Sequence, residues 1–166
     1  QVHSPTIRIV EKLSSPSVIF PETDGLMTRE KGVLLITKTA DCVPILLWNK
    51  KDQIIAALHC GWRGFFRGIL EAFEKTCHDQ GYAPSNFSAF LGPHLLVEHF
   101  EVAEDFIEQI PENKRKFLIQ EKNRARYDLG SAVTSTLRSF GIQELHNSEI
   151  STYNSRDYFS YRAWLK

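Results

Sequence analysis

Val43-Pro44-Ile45-Leu46-Leu47-Trp48, then Asn49-Lys50-Lys51-Asp52, then Ile54-Ile55-Ala56-Ala57-Leu58-His59 are the stretches whose reading decides the fold. The first and last are near-continuous apolar runs, the pattern of strands buried on both faces. The polar run between them is a turn, so the two strands are expected to form a hairpin. Beyond Gly61 the period changes. Phe66, Ile69, Leu70, Phe73 and Cys77 fall on one face of an amphipathic helix spanning about 64–79, with Gly81 as its stop. A strand–turn–strand followed by a strand–turn–helix junction is the signature of mixed α/β architecture.

Working outward, residues 32–37 (Gly-Val-Leu-Leu-Ile-Thr) read as another buried strand, and 6–10 and 17–20 as short strands. Downstream, 88–91 is a strand ending at Gly92-Pro93, 103–109 a short acidic helix stopped by Pro111, and 131–140 a helix closed by Gly141. Residues 144–150 and 158–164 look extended. Strands and helices mix without strict βαβ alternation. The expected class is therefore α/β (α+β), a mixed β-sheet with flanking helices. No internal repeat or linker-like tract interrupts the 166 residues, so 1–166 is expected to be a single domain.

Twenty basic residues balance twenty acidic ones. The densest basic run, Asn113-Lys114-Arg115-Lys116, reads as a solvated loop or helix end, so no nucleic-acid partner is expected. No apolar run approaches the roughly 18 residues needed to span a bilayer, and no membrane partner is expected. Three cysteines are few and odd in number, which argues against a disulfide framework and for the reducing cytoplasm. Monomer and homodimer are equally compatible with the sequence.

Chemistry could live at His3, Cys42 and His59, because zinc accepts two imidazoles and one thiolate while keeping a fourth position free. The three are too far apart in sequence for a finger or ribbon, so the fold would have to assemble such a site. Each also has a plainer reading: His59 as a satisfied histidine at a strand end, Cys42 as a small core residue. Asp41 is expected to hydrogen-bond a ligand histidine or cap the turn. Gly61 permits a turn that a side chain would obstruct, and the helix start after it is a natural anion site to which Arg63 adds a guanidinium fork. Alternatively, Arg63 pairs with an acid and tethers the turn. Cys60 should point away from His59, and Cys77 belongs to the core. His78 and His146 look superficial, while His94 and His99 are spare ligand candidates.

Four motifs in order, Thr39-Ala40-Asp41-Cys42-Val43-Pro44, His59-Cys60-Gly61-Trp62-Arg63-Gly64, Leu91-Gly92-Pro93-His94 and Phe159-Ser160-Tyr161-Arg162, resemble the YfiH/laccase-domain family. This family is named for polyphenol oxidase and purine nucleoside phosphorylase activities. Gln1-Val2-His3 and Asp24-Gly25-Leu26 fit the same pattern. The resemblance implies zinc held by His3, Cys42 and His59, with Cys42, His59 and Arg63 catalytic. It implies phosphorolysis of adenosine, inosine or methylthioadenosine, deamination of adenosine, and a fold shared with a toxin deamidase. Phosphate and a purine nucleoside would be the partners. The chain departs from the family pattern at Cys60, His94 and Ser151, and in lacking a second arginine after Arg162. Against that pattern it reads as one YfiH-like laccase domain shortened at both ends.

Two other functions fit the same residues. One is a metal-free thiol hydrolase or amidase with Cys42 as nucleophile and His59 as base. The other is a non-catalytic zinc-binding domain closed by His94 or His99. Multicopper laccase chemistry fits poorly, since six histidines include no His-x-His pair. Copper would nonetheless enter a three-ligand site adventitiously, given its higher intrinsic affinity.

Overall fold

The computed structural model describes residues 1–11, 15 and 17–165. The hairpin is present as β3 (Val43–Asn49) and β4 (Ile54–Cys60), paired antiparallel from Val43↔Cys60 to Asn49↔Ile54. Around it stand β1 (Ile7–Ile9), β2 (Gly25–Thr28), β5 (Ser88–Leu91) and β9 (Leu145–Asn147), in the order β1-β2-β4-β3-β5-β9. The two outer pairs, β1 with β2 and β5 with β9, are parallel and the central pairs antiparallel. This is the mixed sheet expected. A second sheet, β6 (Glu101–Val102), β8 (Arg124–Tyr127) and β7 (Leu118–Glu121) in that order, was not foreseen.

The sheet alternates as strand geometry demands. Val43, Ile45 and Leu47 of β3, Ala56, Leu58 and Cys60 of β4, and Ala89 and Leu91 of β5 face one core. Onto that core α2 (Ile69–Asp79) packs Ile69, Leu70, Phe73 and Cys77, and α4 (Leu129–Ser139) packs Ala132, Val133 and Leu137. Each fully buried Ile, Leu, Phe or Val among these contributes about 1.5–3 kcal/mol. Burial on both faces holds for most of β4 but not for β3, where Leu46 on the opposite face is 46% exposed.

Several elements differ from expectation. The helix expected over 64–79 is two, α1 (Trp62–Phe66) and α2, because Gly68 adopts φ 91°, a left-handed conformation that breaks the helix without breaking the apolar face. Residues 32–37 form no strand and pair with none among the described residues; Leu34 and Ile36 point outward, 80% and 64% exposed. A continuous apolar run does not by itself distinguish a ladder-paired strand from an unpaired segment. Residues 17–20 are likewise irregular, and 158–164 contains a short helix, α5 (Tyr161–Trp164), capped by the Ser160 hydroxyl, instead of an extended segment. The acidic helix is α3 (Glu104–Glu108). Lys114, expected in solvent, is buried in a 3-10 helix, Glu112–Phe117; its Nζ donates to the Phe65 carbonyl at 2.6 Å and pairs with Glu71 at 3.0 Å.

Candidate metal centre

His59 lies one residue from the end of β4, Cys42 immediately before β3, and His3 on the N-terminal arm that precedes β1. Pairing of Pro44 with His59 brings the Cys42 and His59 ends of the hairpin together. The arm supplies the third group. The ligand atoms of His3, Cys42 and His59 all lie within 4.8 Å of one another, the single such group among the described residues. Cys42 Sγ is 3.5 Å from His3 Nε2, and the two imidazole centroids are 4.8 Å apart.

What holds the arm is Asp24, one residue before β2 and 1% exposed. Its Oδ1 accepts the His3 backbone N–H at 3.0 Å and the His59 Nδ1–H at 2.7 Å. Its Oδ2 accepts the backbone N–H of Val2 at 3.0 Å and, both at 2.9 Å, the N–H and hydroxyl of Ser4. Burial by itself would raise this carboxyl. The donors from Val2, His59 and Ser4 outweigh it and hold Asp24 well below the usual carboxylate range. With Nδ1 donating to Asp24, His59 presents Nε2 as its free acceptor nitrogen, which is how ligand histidines are oriented. His3 itself sits at φ 58°, a conformation sustained by the three N–H groups turned onto one carboxylate.

Asp41, expected to hydrogen-bond a ligand histidine or cap the turn, reaches neither histidine: it accepts the Thr152 hydroxyl at 2.6 Å and the Arg162 backbone N–H at 2.7 Å, and Asp24 is the partner of His59. The legible signal for Asp24 was an aspartate directly before an apolar strand start, where burying a carboxylate demands several donors.

Gly61 has ordinary extended angles, φ −78° and ψ 162°, so conformational freedom is not why glycine stands there. A Cβ would lie 2.4 Å from His3 Cδ2 and 2.7 Å from Cys42 Sγ. The glycine makes room for the ligand group. The helix after it spans five residues, Trp62–Phe66, too short to carry an anion site on its dipole. Arg63 remains as the cation: its guanidinium lies 4.1 Å from the Trp62 ring and pairs with no carboxylate among the described residues.

The other candidates lie elsewhere. His94 is buried, donates Nδ1–H to the Gly92 carbonyl at 2.8 Å and is not in the group; His99 stacks on Tyr153 at 4.5 Å. Neither closes a fourth position. Cys60 and Cys77 are fully buried in the core, and His78 and His146 are exposed, as expected.

His3, Cys42 and His59 open onto a cleft of about 570 Å³ whose walls include Trp62, Arg63, Phe100 and Tyr161. Burial pushes the Cys42 thiol up to about 12, with Asp41 and Asp24 adding to it. Burial first, then His59, lowers His3 below its ordinary value. An imidazole so lowered is neutral near pH 7 and offers a free nitrogen to a divalent metal, which on binding would have to displace the Cys42 thiol proton. Two nitrogens and one sulfur, with His59 and His3 held by Asp24 and the group open to the cleft, fit zinc.

A family model described as multi-copper polyphenol oxidoreductase laccase matches residues 1–165. A protein of Bacteroides thetaiotaomicron named purine nucleoside phosphorylase is 33% identical over 147 residues, covering 82% of this chain and 53% of that protein. Another of that name from Corynebacterium glutamicum is 27% identical over 163 residues, covering 98% and 66%. The crystal structure of YlmD from Geobacillus stearothermophilus superposes with a TM-score of 0.89 at 26% identity, covering 98% of this chain and 66% of that one. The chain thus spans between about half and two-thirds of the length of these relatives.

Proposed function

This chain belongs to the multi-copper polyphenol oxidoreductase laccase family, and on that premise we propose that its cleft is a zinc-bearing active site for purine nucleosides. The observation that carries the reading is the convergence of His3, Cys42 and His59 within 4.8 Å at the floor of a cleft of nucleoside dimensions. The names of the relatives supply the substrate class.

Zinc held by these three side chains would supply Lewis acidity beside the bound substrate. The chain's own residues do the rest. Asp24 fixes the His59 ring and the His3 backbone, so the ligands are oriented before anything binds. Trp62 and Tyr161 would give a purine aromatic surface in the cleft wall, and Arg63 a guanidinium to phosphate. In phosphorolysis the C1′–N9 bond breaks and a C1′–O bond to phosphate forms. The glycosidic electron pair and the proton of monohydrogen phosphate go to the purine. A cation that neutralises the phosphate near C1′ lowers that barrier. Adenosine deamination is the second reading, favoured by the same three-ligand group with a side open to the cleft.

The thiol hydrolase reading has less support. A nucleophilic Cys42 would need its thiolate, which burial disfavours, and the imidazole in contact with it is His3, at 3.5 Å, whereas that reading assigns the base to His59. The laccase reading rests on the family's name; one three-residue group among the described residues is less than a multicopper centre requires.

The test is metal analysis of purified protein together with hypoxanthine release from inosine, with and without phosphate. Near-stoichiometric zinc and release only with phosphate support the proposal. No base release from any purine nucleoside removes it.

A further inference from the structure

Three cations line the cleft, Lys38, Arg63 and Arg162, against one carboxylate, Asp41. Both oxygens of that carboxylate are occupied within the fold, by the Thr152 hydroxyl and the Arg162 backbone N–H. None of the three cations makes an ion pair among the described residues. The cleft is therefore positively charged before any metal enters it, and it suits an anionic ligand.

We propose that Arg162 is a phosphate-binding residue of this cleft and that Asp41 is the residue that positions it. Asp41 stands beside Cys42 at φ 83°, and its carbonyl accepts the Leu95 N–H at 2.9 Å. From there its carboxylate reaches Thr152 and Arg162, far along the chain, and ties α5 to the metal-bearing end of the hairpin. The Arg162 guanidinium is steadied at one edge only: Nη1 donates to the Glu101 carbonyl at 2.9 Å, and the group sits 5.6 Å from the Phe100 ring. Its other N–H groups have no partner among the described residues, which leaves donors of the planar fork available to phosphate oxygens. Arg63, from the β4–α1 junction, and Arg162, from α5, then hold one phosphate between two independent elements.

This deepens the nucleoside phosphorolysis reading and rests on it, so the test has one arm that does not. Using zinc-loaded protein, Arg162→Gln, Arg162→Lys and Asp41→Asn are compared with the parent in two measurements. The first is KM for phosphate and for inosine; the second is calorimetric binding of inorganic phosphate without nucleoside. A hydrogen-bonded charge lost from Arg162 should raise the phosphate KM and weaken phosphate binding by about tenfold or more. The inosine KM and zinc content should stay within about twofold. Arg162→Lys should recover part of the loss, and Asp41→Asn should show the same phosphate defect in smaller measure. Unchanged phosphate affinity in Arg162→Gln overturns the proposal, as does a parent protein that binds no phosphate. Should the parent bind phosphate yet release no base, the phosphorolysis reading falls, and the calorimetric comparison still decides Arg162.

Discussion

His59 donates its Nδ1–H to Asp24 Oδ1 across 2.7 Å, and the same buried carboxylate gathers the backbone N–H groups of residues 2 to 4. One side chain thereby orients His59 through its ring and His3 through its backbone, the two imidazoles of the candidate metal group. Loss of the charge should release both. Asp24→Asn is expected to weaken zinc binding by about 10- to 100-fold while leaving the helix signal in circular dichroism intact. A chelator-competition titration measures this; affinity equal to the parent's would show that Asp24 serves stability alone.

Gly61 gives a steric counterpart. Since its angles suit any residue, the cost of Gly61→Ala falls on the neighbours, with His3 Cδ2 and Cys42 Sγ closer to the new Cβ than atoms can stand. Overpacking of this kind costs about 1–3 kcal/mol. The variant should fold, melt at a somewhat lower temperature and lose most of its zinc. Full zinc occupancy in Gly61→Ala would mean that the ligands sit farther from Gly61 than described.

Cys42 sets the pH dependence of metal binding. Its thiol, raised to about 12, keeps its proton at pH 8, and zinc must displace it. Calorimetry at pH 8 in buffers of differing ionisation enthalpy should therefore report release of one proton from Cys42, and zinc affinity should climb with pH. Affinity independent of pH would contradict the raised thiol.

His94 should contribute to the loss of stability in mild acid. Burial lowers it from 6.5, against the opposing Gly92 hydrogen bond and the Asp128 charge. Above pH 6.5 the ring is neutral in folded and unfolded chains alike. As pH falls below 6.5 the unfolded chain takes the proton first, so stability is lost on acidification. Urea midpoints of metal-free protein should fall from pH 7 to pH 5, and the fall should be shallower in His94→Gln. An equal slope in both would assign the loss elsewhere.

How much of this was legible in sequence follows from where the information sits. The 43–59 hairpin and the helices ending at Asp79 and Ser139 were readable, because alternation and helical period are local properties of the chain. The convergence of His3 with Cys42 and His59 was readable through family motifs, since no local spacing encodes it. The carboxylate beside His59 proved to be Asp24 and not Asp41 because a carboxylate's partners are set by tertiary contact: Asp41 adjoins Cys42 in sequence, yet its bonds reach Thr152 and Arg162. The apolar run 32–37 misled for a related reason, for a continuous apolar stretch suggests a strand buried on both faces and says nothing of a pairing partner.

The most direct test of the central claim is X-ray absorption at the zinc edge on purified protein, with Cys42→Ser alongside. The account predicts nitrogen scatterers at about 2.0–2.1 Å and a single sulfur at about 2.3 Å, the sulfur vanishing in the variant. A first shell without sulfur, or one unchanged by Cys42→Ser, would contradict it.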